Sequence, residues 1–511
     1  MIIQNKVYFM KRILIAIFIF LLGLNFFLGS WYVRHGDIHF SSDIGRDFFI
    51  FEEIKAKGLI LIGGRTSSNI FHGPLWQYVN MPGFLLGGGD PIVVGWYWIF
   101  LVGLSLTAGF FIARDLFSTL TAYVYIIALS LCYVFQAHEF INPHGAMLMI
   151  TIFFYAFTRY IQIYKLRYLI LYAVAITAMI QFEVAIGGPL LMLSLPVIFF
   201  KSIQKKKKKN LFALLIILLG VSNYIFFDLR HDFLLSKKTI EYVSIKNYTT
   251  LYTYEEWIKD RIITMLFKID FLRDGSMYYN IPLSVLFFTL LFTQVKNKKY
   301  GLYYICFLYF YIGFIILSFL NQGNLLSFYI YPWLPLLFLI LTSFITSRYK
   351  ILTLFVVGII YVFNMQTAIK NIQYATNSFI GKDKESWKFL SSMVQETFSQ
   401  KEKTVGFFVY TPDTLGYAIK YATKYTVRQL KNKEASYLTK KPIIYLFVEP
   451  PPTNNIYMLE GWWIENKLRI NKKPIAIKKY PNGYKVETYA LSDEERKTPT
   501  DPLIDPGLHF R

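Results

Sequence analysis

Four short stretches of this chain gather the side chains able to do chemistry. The first, Asp37-Ile-His-Phe-Ser-Ser-Asp43-Ile-Gly-Arg46-Asp47, follows directly on an apolar segment, and Phe71-His72-Gly73-Pro74-Leu75-Trp76 lies further along the same loop. If Asp43 to Asp47 is helical, the two carboxylates stand one turn apart on one face. Their repulsion would raise one pKa, which suits a general base. Acids at this point also favour a helix dipole, so the simpler reading is that they merely start a helix. Arg46 has two roles open, pairing with one of these acids or contacting an anion. A third stretch, His138-Glu139-Phe-Ile-Asn142-Pro143-His144, holds two imidazoles and a carboxylate, a spacing that permits Zn²⁺ or Mn²⁺ ligation. The fourth, Asp228-Leu-Arg230-His231-Asp232, offers a cation pair to an anion such as phosphate, or is a solvated cluster. Gly63-Gly64 and Gly87-Gly-Gly89 read as turns, since neither carries the lysine and hydroxyl of a phosphate loop.

The elements that position these residues are set by composition. Of 511 residues, 55% are hydrophobic and 19% aromatic. The apolar residues fall in blocks of about 18 to 22, the length that crosses a bilayer. Spans are expected near 13–32, 92–113, 120–136, 146–164, 168–182, 184–200, 211–227, 281–295, 302–320, 325–345 and 351–366. That makes an α-helical polytopic membrane protein of about 11 transmembrane helices. The fifth and sixth are short and joined by Gln181-Phe-Glu183, so a tight or re-entrant pair is an alternative there. Glu183 is costly in lipid, so it is expected to face a cavity or mark a loop.

The formal charge of +22 does not indicate nucleic acid, because much of the excess lies in short loops between apolar blocks. Lys11, Arg12, Arg114, Lys165, Arg167, Lys205 to Lys209, Lys298 and Arg348 fall on one side under alternate crossing. The positive-inside rule then places the N-terminus in the cytoplasm and everything after Gln366 outside the plasma membrane. The first segment has no small-residue cleavage site and is read as a retained helix. Cys132 and Cys306 each sit in an apolar block and imply no disulfide framework.

Residues 1–368 are read as the transmembrane domain, with long outer loops at 33–91 and 228–280. Within the first, Phe48 to Lys57 alternates apolar and charged faces at helical spacing, as for a helix lying in the headgroup plane. Within the second, Tyr254-Glu-Glu-Trp-Ile-Lys-Asp-Arg is another amphipathic stretch. Beyond residue 368 the apolar runs shorten to strand length, at 405–410, 443–448 and 475–490, the last interrupted by the hairpin signal Pro481-Asn-Gly. A helix is expected within 412–425. Residues 369–491 are read as a small extracytoplasmic α/β domain and 492–511 as a tail without fixed structure.

The placement of Asp43 just past the first span, the charged helix behind it and the His72-Gly-Pro-Leu pattern leading to the second span resemble the GT-C membrane glycosyltransferases. The likeness is to the dolichyl-phosphate-mannose protein mannosyltransferase and aminoarabinose transferase relatives. It implies sugar transfer from a polyprenyl-phosphate carrier to a glycan, lipid or protein hydroxyl in the cell envelope. It makes Asp43 the general base, with Asp47 and Glu139 as further acids. Members often carry a second acid directly after the catalytic Asp, whereas here Ile44 follows, which leaves the division between Asp43 and Asp47 open. Arg46, His72, Arg230 and His231 are implied as donor-phosphate or substrate contacts, and the Asn142-Pro143 pair as the start of the fourth helix.

A lipid phosphate is already a good leaving group, so the chemistry asks for one carboxylate and nearby cations. Glycoside hydrolases instead need two carboxyls flanking the bond. Single displacement inverts the anomeric centre. No cofactor is expected, and the 138–144 loop leaves a divalent metal as an alternative. The rival class is a lipid-linked glycan flippase or transporter, whose signature would be charges deep in several spans, and these are scarce here.

Overall fold

The computed structural model describes residues 2–504 except 67–69, 245–252, 268, 270, 274–276, 321–324, 326, 375–381, 400–402, 413–414, 431–432, 451–459 and 503. All eleven apolar segments are helical. Eight helices among the described residues are long and apolar enough to cross a membrane: Arg12–Gly29, Pro91–Leu116, Asn142–Ile163, Val184–Gln204, Lys208–Arg230, Gly301–Ser318, Phe328–Thr346 and Lys350–Tyr374. The remaining three, Thr119–Val134, Leu166–Phe182 and Met277–Gln294, are shorter or more polar. The chain is a multi-pass membrane protein with a small mixed sheet near its C-terminus.

Two compact units divide it. The first comprises 1–30, 61–79 and 97–371, and the second 31–60, 80–96 and 372–511. Part of the first long loop is therefore built together with the C-terminal segment, where the sequence assigned all of 33–91 to the span domain.

In the first unit, buried hydroxyls tie neighbouring helices, as small polar residues do where lipid gives no hydrophobic drive. Tyr160 and Ser202 lie 2.7 Å apart, Tyr172 and Ser194 2.6 Å. Asn25 donates to Ser130 at 2.8 Å. The fifth and sixth apolar helices are separated by Glu183 alone, whose extended backbone (φ −152°, ψ 102°) ends one helix and starts the next. So sharp a joint needs Gly187, because a Cβ there would lie 2.4 Å from the Ile180 backbone nitrogen.

In the second unit, five strands run in the order β2-β1-β3-β5-β4. They are β1 (Thr404–Tyr410), β2 (Glu434–Tyr437), β3 (Ile443–Val448), β4 (Ala476–Lys479) and β5 (Lys485–Ala490). β1 is parallel to β2 and β3, and β5 is antiparallel to β3 and β4. Pro481-Asn-Gly closes the β4–β5 hairpin, with Gly483 at φ 89°. The helix expected within 412–425 forms at Tyr417–Gln429. The segment from Ser492, expected to lack structure, opens with a helical turn, Asp493–Lys497, fixed by a capping box between Ser492 and Glu495. Residues 505–511 of that tail lie outside the described residues, as do 245–252 of the second long loop.

The loop helix, Ser42–Lys57, differs from expectation in its surroundings. Its apolar face (Ile44, Phe48, Phe51, Ile54) is buried in protein and not left for lipid headgroups. Phe48 packs on Tyr421 at 4.9 Å and on Phe84 at 5.9 Å between ring centroids. Gly45 makes the closest approach, since a Cβ there would stand 2.7 Å from the Ala418 nitrogen. The loop leading into the helix is pinned as well. His39 bridges Ser386 in antiparallel fashion, and Asp37 accepts from the Ser386 hydroxyl at 2.7 Å and from the Lys388 amide at 3.1 Å.

Candidate functional site

In the second unit, Asp43 and Asp47 open the loop helix with Arg46 between them. Three-residue spacing on a helix brings Arg46 beside Asp43, and Arg46 Nη1 donates to Asp43 Oδ1 at 2.7 Å. The same guanidinium donates to Asp47 Oδ1 at 3.3 and 3.4 Å. Of the two roles open to Arg46, the structure fills the ion pair, with both acids at once. Burial would lower the pKa of Arg46, but the Asp47 and Asp43 carboxylates outweigh it and raise it, so the residue is a permanent cation. The acids differ in access: the Asp43 side chain is 70% exposed and that of Asp47 6%. Only Asp43 presents a carboxylate that an incoming hydroxyl can reach.

In the first unit, His72 meets Glu183, with Nδ1 3.7 Å from Oε2. Asn142 donates to the Phe182 carbonyl at 3.1 Å and to Glu183 Oε2 at 3.5 Å, while the Ala185 amide donates to Oε1 at 3.4 Å. Glu183, placed by its cost in lipid at a cavity or a loop, thus gathers His72 and the Asn of the Asn-Pro turn. Gln181 extends the polar cluster by donating to Asn223 Oδ1 at 2.6 Å and to the Gly220 carbonyl at 2.7 Å. Gly73 is required beside it, because a Cβ would fall 2.8 Å from the Gln181 backbone oxygen.

The 138–144 loop does not converge. His144 is fully buried, its Nδ1 3.0 Å from the Glu139 backbone oxygen and its ring stacked on Trp98 at 5.9 Å. Among the described residues no group of three or more His, Cys, Asp or Glu side chains comes together in a way that could hold a metal ion. Arg230 is exposed at a helix end, and His231 stacks on Phe227 at 4.1 Å. Asp228 turns the other way, accepting from the Leu235 amide at 2.7 Å and the Ser236 hydroxyl at 2.5 Å, and so caps the next helix.

One cation escaped the sequence reading. Arg273 lies 4.7 Å from the Tyr331 ring centroid and 5.4 Å from that of Phe135, and with the Gln136 amide turned to put its oxygen toward Arg273, that oxygen accepts from Nη2 at 2.6 Å. Its backbone amide donates to Asn364. The signals available were an Arg in a polar loop before a span and a Tyr331-Pro pair equally explained by an aromatic belt.

The fold is shared with a solved protein, ArnT. Two solved structures of ArnT, an aminoarabinose transferase, from Cupriavidus metallidurans are similar to the chain. The structure bound to undecaprenyl phosphate has a TM-score of 0.59 at 10% identity, covering 93% of this chain and 97% of that one. The apo structure has a TM-score of 0.58 at 10% identity, covering 94% and 98%. The Archaeoglobus fulgidus oligosaccharyltransferase in complex with Zn and sulfate reaches only 0.42, at 12% identity over 81% of this chain and 62% of that one. No family model matches the sequence, and no curated protein does.

Proposed function

We propose that the chain is a membrane glycosyltransferase that moves a sugar from a polyprenyl-phosphate carrier to a hydroxyl on a glycan, lipid or protein at the outer face of the plasma membrane. The observation that carries this reading is Asp43: an exposed carboxylate at the start of the first loop helix, held from one side by Arg46, in a fold shared along nearly its whole length with an enzyme crystallised with undecaprenyl phosphate.

In this mechanism the acceptor hydroxyl gives its proton to Asp43 as its oxygen attacks the anomeric carbon of the sugar. A new C–O bond forms, the bond from that carbon to the phosphate oxygen breaks, and the polyprenyl phosphate leaves with the electron pair. Attack from the face opposite the leaving group inverts the anomeric centre. Asp47, buried and bound to Arg46, holds the guanidinium in place, and Arg46 holds Asp43; both are positioning residues. The resemblance gives His72, Arg230 and His231 as contacts of the donor phosphate or substrate, and charge-assisted hydrogen bonds of this kind neutralise a leaving group. Glu139 and Glu183 are the reserve acids.

Membranes containing the protein, given polyprenyl-phosphate-linked hexoses and pentoses labelled in the sugar, should move label out of the donor and release polyprenyl phosphate with an inverted product linkage. Transfer is expected to survive EDTA. Loss restored by one divalent ion would make the 138–144 loop a metal site. An intact donor that only changes leaflet would replace the reading with the transporter.

Orientation is tested separately. A cysteine at Ser391 should react with an impermeant thiol reagent in intact cells and one at Gln204 should not, because the lysine-rich loops belong to the cytoplasm. The reverse pattern overturns the outer-face assignment.

A further inference from the structure

Within the first unit, helices Val184–Gln204 and Gly301–Ser318 meet where the Tyr309 hydroxyl donates to the Leu193 carbonyl at 2.8 Å. Gly313 permits the contact, because a Cβ there would lie 2.7 Å from the Leu193 side chain. Along this seam runs a groove of about 490 Å³, and every side chain lining it is apolar except Tyr309, whose proton is already given to Leu193. Ile305, Ile312 and Ile316 form its exposed wall on the second helix. From Ile305 to Leu317 the groove extends about 18 Å along the helix. That is close to one leaflet's share of a hydrocarbon core about 30 Å thick.

One end of the groove meets charge. Eight residues from the Leu193–Tyr309 contact, one helix reaches Lys201 and the other Gly301, with Lys205 one turn beyond the first and Lys299 two residues before the second. Three cross-links gather the loops at this end: Tyr160 with Ser202 at 2.7 Å, Asn210 with the Tyr164 carbonyl at 3.0 Å, and Tyr303 with Gln162 at 3.1 Å. The lysines have only neutral neighbours. Lys201 donates to Gln204 at 3.4 Å and stands 5.8 Å from the Phe200 ring centroid, and Lys299 stands 4.9 Å from that of Tyr300. Among the described residues none of Lys201, Lys205 and Lys299 pairs with a carboxylate. Acids are scarce here: stretches 114–119, 164–167, 200–214, 295–301 and 346–350 hold one, Asp115, and Arg159 pairs with it at 2.6 Å.

An apolar groove one leaflet deep, with ammonium groups at its mouth, matches an amphiphile with a negative head. Basic residues beside a span attract the anionic lipids of that leaflet. A zwitterionic lipid brings its own ammonium and leaves the lysines unanswered. The polyprenyl carrier of the proposed function presents its phosphate at the outer face, whereas these lysines lie on the loops that the charge asymmetry assigns to the opposite one.

We infer that the groove holds one acyl chain of an anionic phospholipid, whose phosphate sits among Lys201, Lys205 and Lys299, and that the lipid splints the two helices. This site is independent of the transferase reading.

The test uses the full-length protein, stripped of lipid in detergent and titrated with phosphatidylglycerol or with phosphatidylcholine of identical chains. Native mass spectrometry reads retention, and thermal unfolding reads stabilisation by a ligand of the folded state. Phosphatidylglycerol should be retained and raise the unfolding midpoint, phosphatidylcholine should do neither, and raised salt should weaken the effect. Lys201→Gln and Lys299→Gln should each weaken binding by about fivefold, the usual worth of a basic residue at a lipid surface. Ile312→Trp and Ile316→Trp fill the groove, leave every lysine in place, and should lose the lipid as well. Equal retention of the two lipids overturns the proposal. So does unchanged phosphatidylglycerol binding in both tryptophan variants, which would mean attraction to a basic face alone, or in both glutamine variants. Displacement of phosphatidylglycerol by undecaprenyl phosphate would make the groove the carrier's and overturns it too. The glutamine variants keep the test decisive where a tryptophan variant fails to fold, since Lys299 is exposed and outside helix. None of these failures touches donor cleavage.

Discussion

Replacing Asp43 by Asn is expected to cut sugar transfer by about a hundredfold to ten-thousandfold, the usual worth of a general base, while polyprenyl-phosphate binding persists. The substitution keeps the side chain's size, and an amide oxygen can still accept from Arg46 Nη1, which now lies 2.7 Å from Asp43 Oδ1. What disappears is the proton acceptor. Asp47→Asn should cost transfer less, because its carboxylate is 6% exposed and reaches Arg46, not an acceptor. Arg46→Ala should lower turnover more than donor affinity, since the guanidinium pairs with Asp43 and Asp47 and holds the proposed base. Transfer is compared at matched membrane levels of folded protein. Near-normal transfer in Asp43→Asn together with abolition in Asp47→Asn, Glu139→Gln or Glu183→Gln would move the base elsewhere in the same fold.

Gly45→Ala should lower sugar transfer almost as severely without touching an ionisable group. The new Cβ would lie 2.7 Å from the Ala418 nitrogen and the Tyr417 carbonyl carbon, and 2.8 Å from the Tyr417 oxygen. All three are backbone atoms of a packed helix, so no side-chain rotation relieves the clash. The loop helix must move away from helix Tyr417–Gln429, loosening the Phe48–Tyr421 contact. Overpacking of this kind costs about 1–3 kcal/mol, and a displacement of roughly 1 Å at a catalytic group can cost about a hundredfold in rate. Thermal unfolding in detergent and the transfer assay read the two effects. Gly23→Ala is the control, because nothing stands within 4 Å of its Cβ position. Identical behaviour of the two variants would mean that the loop helix is not held where the structure has it.

The apolar helices were legible in the sequence because a bilayer demands long apolar runs and helices satisfy them locally, and eight of the eleven expected spans fall on helices long and apolar enough to cross among the described residues. The hairpin was legible because Pro481-Asn-Gly is a local turn signal. β2 was not: Glu-Ala-Ser-Tyr is too short and polar to read as a strand, and only its pairing with β1 makes it one. The surroundings of the loop helix were hidden for the same kind of reason. Its amphipathic pattern says that one face is buried, not what buries it, and its partners Tyr417, Ala418 and Tyr421 lie hundreds of residues away.

The candidate site divides likewise. Helical spacing anticipated that Asp43 and Asp47 share a face, and left Arg46 to either acid or phosphate. That both acids hold it depends on burial of Asp47, a tertiary fact. Glu183 stood out as a carboxylate beside lipid, but its meeting with His72 joins residues more than a hundred positions apart. Arg273 gave only the sign of an Arg in a polar loop before a span, because an aromatic cradle drawn from Phe135 and Tyr331 exists only after folding.

The most direct test of the central claim is a structure of the full-length protein with polyprenyl phosphate bound. The account predicts the lipid's phosphate beside the exposed carboxylate of Asp43, leaving room for an acceptor hydroxyl between them. A head group bound elsewhere, with Asp43 facing neither lipid nor acceptor, would contradict it.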